Sequence, residues 1–316
     1  MANTASGRRF LALFRAGKNS LHPQLTKRLE KQNFDYALSW YADEDAASLG
    51  MAEGAAFVHR VKGQKWPGLY ATLTEYRDVI DGYDYVWFPD DDLLATPETV
   101  SEFFSTVSDL RLDLGQPALT LDSSHAHPIV VQHATFQVRF TNFVELMAPL
   151  MSRDMLRRTL PTMDGTLSGW GIDAVWPRFT RIGRIAIIDS TPVKHTREIL
   201  VGGNGYRDNA SQGIPPLLEE KMAFVRYGVT GRKHQHLNLG ALLDTGDLVH
   251  LHPPKQDGTA PLMARLLHAT KQFSSDPIGM SRYINAHAEY IEENDGSLLP
   301  LVLDEALGHL GLRTRA

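Results

Sequence analysis

The stretch Tyr83–Phe104, YDYVWFPDDDLLATPETVSEFF, joins an apolar run to a polar segment through three carboxylates. Its first part, Tyr83–Phe88, is rich in aromatic residues and valine, which is typical of a buried strand. Three consecutive carboxylates, Asp90, Asp91 and Asp92, follow that strand directly. Because like charges this close repel one another, the triplet raises the question of what it binds.

The residues after the triplet are typical of a helix start. Thr96 is a good N-cap, Pro97 fits the first helical turn, and Glu98 suits the positive end of the helix dipole. The acidic triplet therefore lies in a short loop between a strand end and a helix start.

Strand-like and helix-like segments alternate through the first two-thirds of the chain. Further strands are predicted at Arg9–Phe14, Asp35–Tyr41, Ala56–Val61, Pro117–Leu121 and Ile185–Asp189, and further helices at Asn19–Lys31 and Pro67–Asp81. This alternation predicts an α/β fold with a mostly parallel sheet flanked by helices. In such sheets ligands bind beyond the carboxyl ends of the strands, where the triplet lies.

Composition changes after about Gly205. The segment Gly202–Pro216 is rich in Gly, Asn and Pro and predicts a loop or boundary. We therefore divide the chain into an α/β domain, 1–205, and a mainly helical C-terminal extension, 206–316, packed on it. The helices predicted in the extension are Leu217–Tyr227, Met263–Phe273, Ser281–Asn294 and Leu299–Leu310.

The bulk composition excludes several classes of protein. The net charge of −5 gives no reason to expect a nucleic-acid partner. The chain has no cysteine, which excludes disulfides and thiolate metal sites and suits a reducing compartment. No apolar run reaches the length of a transmembrane segment. We expect a cytoplasmic protein, with peripheral contact to the inner membrane left open.

The triplet itself has two readings of about equal weight. Carboxylates bind hard divalent cations, and Mg²⁺ or Mn²⁺ bridges them to phosphates. The alternative is a solvated acidic turn before a helix. The apolar strand that leads into the loop favours a binding site, since the loop then emerges from a buried sheet.

Two later segments carry candidate functional groups. In Ser168–Pro177, SGWGIDAVWP, glycines permit tight backbone geometry and Asp173 falls near a helix start, where it either accepts a proton from an incoming hydroxyl or caps the helix. In Ile185–Arg197 a strand is followed by His195, which is either a metal ligand or a polar surface residue.

Taken in order, these elements resemble metal-dependent glycosyltransferases of the GT-A fold, in which Asp-x-Asp, a Trp-Gly-rich acidic segment and a metal-binding His follow one another. More closely, the chain is similar to an uncharacterised family of plant and bacterial proteins, a domain of unknown function that is itself glycosyltransferase-like. The matching segments are Gly63–Pro67, Tyr83–Leu93, Gly115–His127, Phe143–Asp154, Gly169–Asp173 and Asp189–His195. The region after Gly205 is not covered.

The resemblance implies a GT-A-like (Rossmann-like) domain that transfers a sugar from a nucleotide diphosphate donor to a hydroxyl acceptor such as a glycan. It implies Mn²⁺ or Mg²⁺ as cofactor, and a role in bacterial surface polysaccharide synthesis would fit. The implied metal ligands are Asp90, Asp92 and His195. The implied donor-binding residues are Lys65, Trp66, Asp90 and Asp91. Asp173 is the implied base, which gives inversion, and Glu145 is its rival.

Several alternatives stay open at this stage. Asp173 is followed by Ala174, where many galactosyltransferases have a second acidic residue, so the base assignment is weakened. Glu145 is otherwise a buried carboxylate paired with Arg139 or Arg153, and Trp66 is otherwise an ordinary core residue. The rival functions are a non-catalytic module that binds a nucleotide or glycan and, ranked lower, a metal-dependent phosphohydrolase.

Overall fold

The computed structural model describes residues 9–27, 29–30, 32–199, 214–229, 236–250, 303, 307–311 and 313–315. The strands are β1 Phe10–Ala16, β2 Phe34–Trp40, β3 Val58–Arg60, β4 Tyr85–Trp87, β5 Leu93–Leu94, β6 Leu114–Leu119, β7 Phe136–Thr141, β8 Leu150–Ser152, β9 Ile185–His195, β10 Asn238–Leu243, β11 Asp247–His250 and β12 Arg313–Arg315. The helices are α1 His22–Thr26, α2 Lys65–Glu75, α3 Arg77–Ile80, α4 Pro97–Asp109, α5 Arg153–Met163, α6 Ile172–Val175 and α7 Pro216–Tyr227. None of the helices in these ranges combines the length and apolarity needed to cross a bilayer.

The strands form one large sheet in the order β12-β11-β10-β7-β9-β6-β8-β4-β1-β2-β3, with β5 paired to β9 beside it. β3, β2, β1 and β4 are mutually parallel, as are β6 and β9. The strands β7, β8 and β10 join the sheet through antiparallel pairing. The predicted α/β class, with a large sheet flanked by helices, is confirmed.

The sheet topology brings the ends of β4 and β9 to one edge. β8 is antiparallel to both β4 and β6, so β4 and β6 run in the same direction. β9 is parallel to β6, so it also runs with β4. The acidic triplet after β4 and His195 at the end of β9 therefore lie at the same edge of the sheet, as the sequence predicts.

The sheet is buried on both faces. Alternate residues of β1 enter two different cores: Phe10 and Phe14 pack in one and Leu11 and Leu13 in the other. This is the pattern expected of a strand covered by helices on both sides.

Aromatic packing fixes the two elements that flank the acidic triplet. The Trp87 ring of β4 meets the Phe103 ring of α4 edge-on at 5.5 Å, and Phe104 stacks on Phe10 of β1 at 5.1 Å. Such pairs contribute about 0.5–1.5 kcal/mol each beyond their buried area. The loop between β4 and α4 is thus held at both ends.

The predicted cap of α4 is present, since the Thr96 side chain accepts a hydrogen bond from the Thr99 N–H. We expect Thr96→Ala to lower the free energy of unfolding by about 1 kcal/mol, because one N–H at the helix start loses its partner. Urea unfolding of the two proteins measures this. Glu102→Ala, an exposed change in the same helix, is the control, and equal losses in both variants would contradict the capping role.

The chain beyond residue 205 differs in part from the expectation. The predicted helix Leu217–Tyr227 is present as α7, but β10, β11 and β12 are strands that we had not predicted. β10 pairs with β7, so this part of the chain extends the sheet. The helices predicted at 263–273 and 281–294 lie outside the described residues, so the mainly helical character of the extension stays a prediction.

One helix in the first domain is shorter than predicted. The described residues of the segment Asn19–Lys31 form the five-residue α1, His22–Thr26. The His22 ring is buried there, bonded to Ser20 Oγ and to the Met51 carbonyl. These tertiary bonds hold a short turn where the sequence alone favoured a longer helix.

Candidate active site

The Asp92–His195 pair lies at the centre of the sheet edge. β5 pairs with the end of β9, with Leu93 in register with His195, and this pairing brings the loop against β9. The His195 Nε2 atom lies 3.1 Å from Asp92 Oδ2, and both side chains are buried. Thr196 N–H also donates to the Asp92 carbonyl at 3.1 Å.

The orientation of the His195 ring is set by a hydrogen bond on the side away from Asp92. Its Nδ1 lies 2.9 Å from the Ser124 carbonyl, which can only accept, so Nδ1 carries a proton and Nε2 faces Asp92. Burial alone would lower the pKa of His195, but the hydrogen bond and charge of Asp92 outweigh it and raise that pKa. Burial likewise would raise the pKa of Asp92, and His195 and Arg197 reverse this and lower it.

Asp90 turns towards a different partner. The Lys65 Nζ atom, at the start of α2, lies 2.5 Å from Asp90 Oδ1 and also donates to the carbonyls of Leu146 at 2.7 Å and Met147 at 3.0 Å. Asp90 N–H donates to the same Met147 carbonyl at 2.8 Å. Lys65 thus ties the acidic loop to the segment that carries Glu145.

Asp91 forms the third branch of the triplet. Its Oδ2 accepts from the Tyr41 hydroxyl at 3.0 Å, and its Oδ1 accepts from Arg197 Nη1 at 2.9 Å. Arg197 Nη1 also lies 3.8 Å from Asp92 Oδ2. Each carboxylate of the triplet therefore lies beside a basic side chain, Lys65, Arg197 or His195, and these contacts offset the mutual repulsion of the carboxylates.

A cavity of about 440 Å³ opens beside Asp91 at the ends of β1 and β2. Its lining mixes three cations with two carboxylates and the Tyr41 ring: Lys18, Asn19, Tyr41, Ala42, Asp43, Glu44, Lys62 and Arg197. Lys18 pairs with Glu44 at 3.2 Å, and Lys62 pairs with Asp43. Arg197 belongs both to this lining and to the Asp91 contact. Arg197 therefore links the cavity lining to the Asp92–His195 pair.

Two further carboxylates, Glu145 and Asp173, are buried close to this edge. Burial, followed by the charges of Asp173 and Asp90, raises the pKa of Glu145 to about 8. Burial raises the pKa of Asp173 to about 7, against backbone hydrogen bonds that include Leu146. At neutral pH Glu145 is therefore mostly protonated, whereas Asp173 is about half ionised.

The loop before Asp173 has a backbone that favours glycine. Gly169 and Gly171 have φ of +82° and +91°, and a Cβ on Gly169 would lie 2.2 Å from the Trp66 ring. Gly171 immediately precedes α6, whose first turn holds Asp173. The glycines thus have the tight backbone that the sequence suggested, and Asp173 lies at a helix start as predicted, while its role as a base stays a prediction.

Three alternatives from the sequence are resolved by the packing. The placement of Trp66 in the donor-binding set is corrected by the structure. The Trp66 side chain is 1% exposed and its ring meets the Trp176 ring edge-on at 5.3 Å, so neither face of the Trp66 ring is open to a base or sugar. Glu145 is not the partner of the two arginines considered. Arg139 pairs with Asp189 at 2.7 Å, and Arg153 pairs with Asp84 at 2.7 Å.

The residues present fit a divalent cation, although they do not form a finished cage. In the described part of the chain no group of three His, Asp or Glu side chains is placed to hold one metal ion. Asp90, the third predicted ligand, is turned to Lys65. Asp92 Oδ1 and Glu145 Oε1 are buried and accept no hydrogen bond from any described residue. The Nδ1–carbonyl bond of His195 is the arrangement that orients metal-binding imidazoles.

Several residues of the site were missed from the sequence, among them Tyr41, Gln116 and the cavity residues Lys18 and Lys62. Tyr41 directly follows β2 and Gln116 lies in β6, where its Oε1 accepts from Glu145 N–H at 2.7 Å. The position of Tyr41 at a strand end, on the same edge as the triplet, was a usable indication. Gln116 gave none, because a single polar residue in a strand has many possible partners.

Comparison with solved structures finds low similarity over long stretches. Residues 1–349 of S. aureus TarS are 10% identical, with 95% of this chain and 92% of that chain covered and a TM-score of 0.41. Glucosyl-3-phosphoglycerate synthase from Mycobacterium tuberculosis, in complex with Mn²⁺, UDP and phosphoglyceric acid, is 16% identical, with 72% and 81% covered and a TM-score of 0.44. A nucleotide-diphospho-sugar transferase from Desulfovibrio desulfuricans G20, whose assignment is putative, is 12% identical, with 70% and 98% covered and a TM-score of 0.37. Values this low carry no argument about the site.

Comparison by sequence gives a clearer result. No curated protein matches the chain. A family model described as "Protein of unknown function (DUF707)" matches residues 9–224, which include every residue of the site described above. The chain belongs to this family.

Proposed function

We propose that the protein is a metal-dependent glycosyltransferase that moves a sugar from a nucleotide diphosphate donor to a hydroxyl acceptor with inversion. The observation that carries this proposal is the position of Arg197. Its guanidinium lines the cavity that also holds Lys18 and Lys62, each paired with a carboxylate of the same lining, and it lies 3.8 Å from Asp92 Oδ2 beside His195. A diphosphate needs cationic groups, and a carboxylate beside an imidazole suits a divalent ion.

Asp92 and His195 are the residues that would hold Mn²⁺ or Mg²⁺, with Asp90 joining them if it leaves Lys65. When bound, the ion neutralises the charge that develops on the departing diphosphate. Lys65, Lys18, Lys62 and Arg197 bind donor phosphates in this proposal, and the Tyr41 ring, which borders the cavity, packs against the donor. Lys65 reaches the phosphates once it is released from Asp90.

In the transfer step the acceptor oxygen attacks the anomeric carbon of the donor sugar. The bond between that carbon and the diphosphate oxygen breaks, and the electron pair leaves with the diphosphate. The hydroxyl proton goes to the Asp173 carboxylate. Attack from the face opposite the leaving group inverts the configuration.

Asp173 is preferred to Glu145 as the base because of their protonation. A base must be ionised before it takes a proton, and burial raises the pKa of Glu145, to about 8, further than that of Asp173, to about 7. A neutral Glu145 is able to donate a hydrogen bond to the acceptor, which gives it a binding role instead.

The pH dependence of kcat tests this division of roles. Asp173 is inactive when protonated, so we expect kcat to rise between about pH 6 and pH 8 with a midpoint near 7, the raised pKa of this group. Glu145→Gln mimics the neutral form of Glu145 and should keep the midpoint. If Glu145→Gln removes the rising limb, Glu145 is the base and Asp173 is not.

The function itself is tested with a panel of nucleotide sugars, Mn²⁺ and a mixture of glycan acceptors, with released nucleoside diphosphate as readout. Release that increases with acceptor supports transfer. Donor binding without release favours the non-catalytic module. Phosphate release from a simple phosphate ester, without diphosphate release, favours the phosphohydrolase.

A further inference from the structure

The helix α7 contributes a buried acid to the loop that carries Asp173. The side chain of Glu219, in the first turn of α7, is 8% exposed and reaches the segment Thr166–Gly169. We assigned Glu219 no role from the sequence, because it lies beyond the Gly-rich segment Gly202–Pro216, which we took as a domain boundary.

Glu219 accepts hydrogen bonds from several donors of that segment at once. Its Oε1 accepts from the Thr166 hydroxyl, from Leu167 N–H at 2.7 Å and from Gly169 N–H at 3.2 Å. Its Oε2 accepts from Ser168, both from N–H at 2.9 Å and from the hydroxyl at 2.8 Å. Burial alone would raise the pKa of Glu219, but these bonds reverse this and lower it, so the carboxylate stays ionised.

The loop that Glu219 contacts is also closely packed against other residues on two sides. On one side Gly169 lies against the Trp66 ring, with no room for a Cβ. On the other side a Cβ on Gly171 would lie 2.9 Å from the Glu220 Cα in α7. Between these contacts the backbone has little freedom, and Asp173 follows two residues after Gly171.

We infer that Glu219 is a positioning residue, which fixes the Thr166–Gly171 loop so that the Asp173 carboxylate is held beside Leu146 and Glu145. This inference rests on the proposed function, because it concerns the presumed base of the transfer step. Glu219 itself touches neither the Asp92–His195 pair nor the cavity lining among its described hydrogen bonds, so it is not a catalytic residue.

The test is Glu219→Gln, which keeps the shape of the side chain. One oxygen becomes an NH₂ group that faces N–H donors, so two or three of the five bonds are lost and N–H groups then face one another. We expect kcat to fall about 10- to 100-fold, because small displacements of a reacting group have effects of this size. Donor affinity and binding stoichiometry, measured by calorimetry, should stay within twofold of wild type. Lys221→Gln, an exposed change of one charge on the same helix, should leave both unchanged.

A second measurement keeps the inference testable without activity. Hydrogen exchange at the amides of Leu167, Ser168 and Gly169 should be slow in the wild type and at least tenfold faster in Glu219→Gln. Unchanged exchange would overturn the inference. So would a parallel loss of kcat and of binding stoichiometry, which indicates general unfolding. If the wild type releases no diphosphate from any donor, the proposed function fails, and the exchange result still decides whether Glu219 fixes the loop.

Discussion

Replacing Asp173 by Asn is expected to lower kcat for sugar transfer by roughly 10²–10⁴-fold, the usual contribution of a general base. The amide has the same shape but cannot take the acceptor proton. Asp173 Oδ1 accepts from Ala174 N–H at 2.9 Å, and an amide oxygen can keep this bond. The measurement is product formation at saturating donor and acceptor, with donor affinity measured alongside.

The variant should bind donor as the wild type does, because Asp173 lies outside the cavity lining. It should also be at least as stable at neutral pH, since the amide removes a carboxylate whose burial raised its pKa to about 7. Asp154→Asn, in the exposed first turn of α5, is the matched control and should keep full activity. Transfer by Asp173→Asn at the wild-type rate would remove the assigned base.

Replacing Asp92 by Ala should lower the affinity for a nucleoside diphosphate measured with Mn²⁺ by at least about 100-fold, more than the change seen when an outer-sphere partner of a metal is lost. The substitution removes the carboxylate that faces His195 Nε2 at 3.1 Å. Affinity measured with EDTA should be low and equal in both proteins. Calorimetry with each nucleoside diphosphate, with and without Mn²⁺, gives these values.

Asp122→Ala is the control for this variant. Asp122 is an exposed carboxylate at the same edge of the sheet, paired with Lys194 at 2.5 Å, and its loss should leave the Mn²⁺-dependent affinity unchanged. If Asp92→Ala binds donor with the same dependence on Mn²⁺ as the wild type, Asp92 is not a ligand. Circular dichroism establishes that both variants are folded.

The part of the site that the sequence predicts is the part fixed by strand direction. A strand ending in an acidic loop, a helix start after it and a second strand ending in His195 have local patterns, and parallel strands bring their ends to one edge. These patterns are compatible with the observed pairing of β5 with β9, in which Leu93 lies opposite His195. Local patterns and topology thus predict that Asp92 and His195 meet, whereas Asp90 is turned to Lys65, and the role of these residues as metal ligands stays a prediction.

The part that the sequence does not predict depends on contacts between distant segments. Lys65 and Trp66 are adjacent in the chain, yet Lys65 bonds Asp90 whereas Trp66 is enclosed by Trp176 and Gly169. At the start of a helix, neighbouring side chains point in different directions, and only the packing of α2 decides which one faces the site. Glu219 was missed for the same reason, because its five donors lie about 50 residues earlier in the chain.

The central claim is that the edge formed by Asp92 and His195 holds a divalent ion next to a donor diphosphate. The most direct test is a crystal of the protein grown with Mn²⁺ and a nucleoside diphosphate, with anomalous difference density recorded at the manganese edge. We expect a manganese peak in contact with the Asp92 carboxylate and His195 Nε2, with the phosphates of the nucleotide extending towards Arg197. A peak elsewhere, or bound nucleotide with no manganese at this edge, would contradict it.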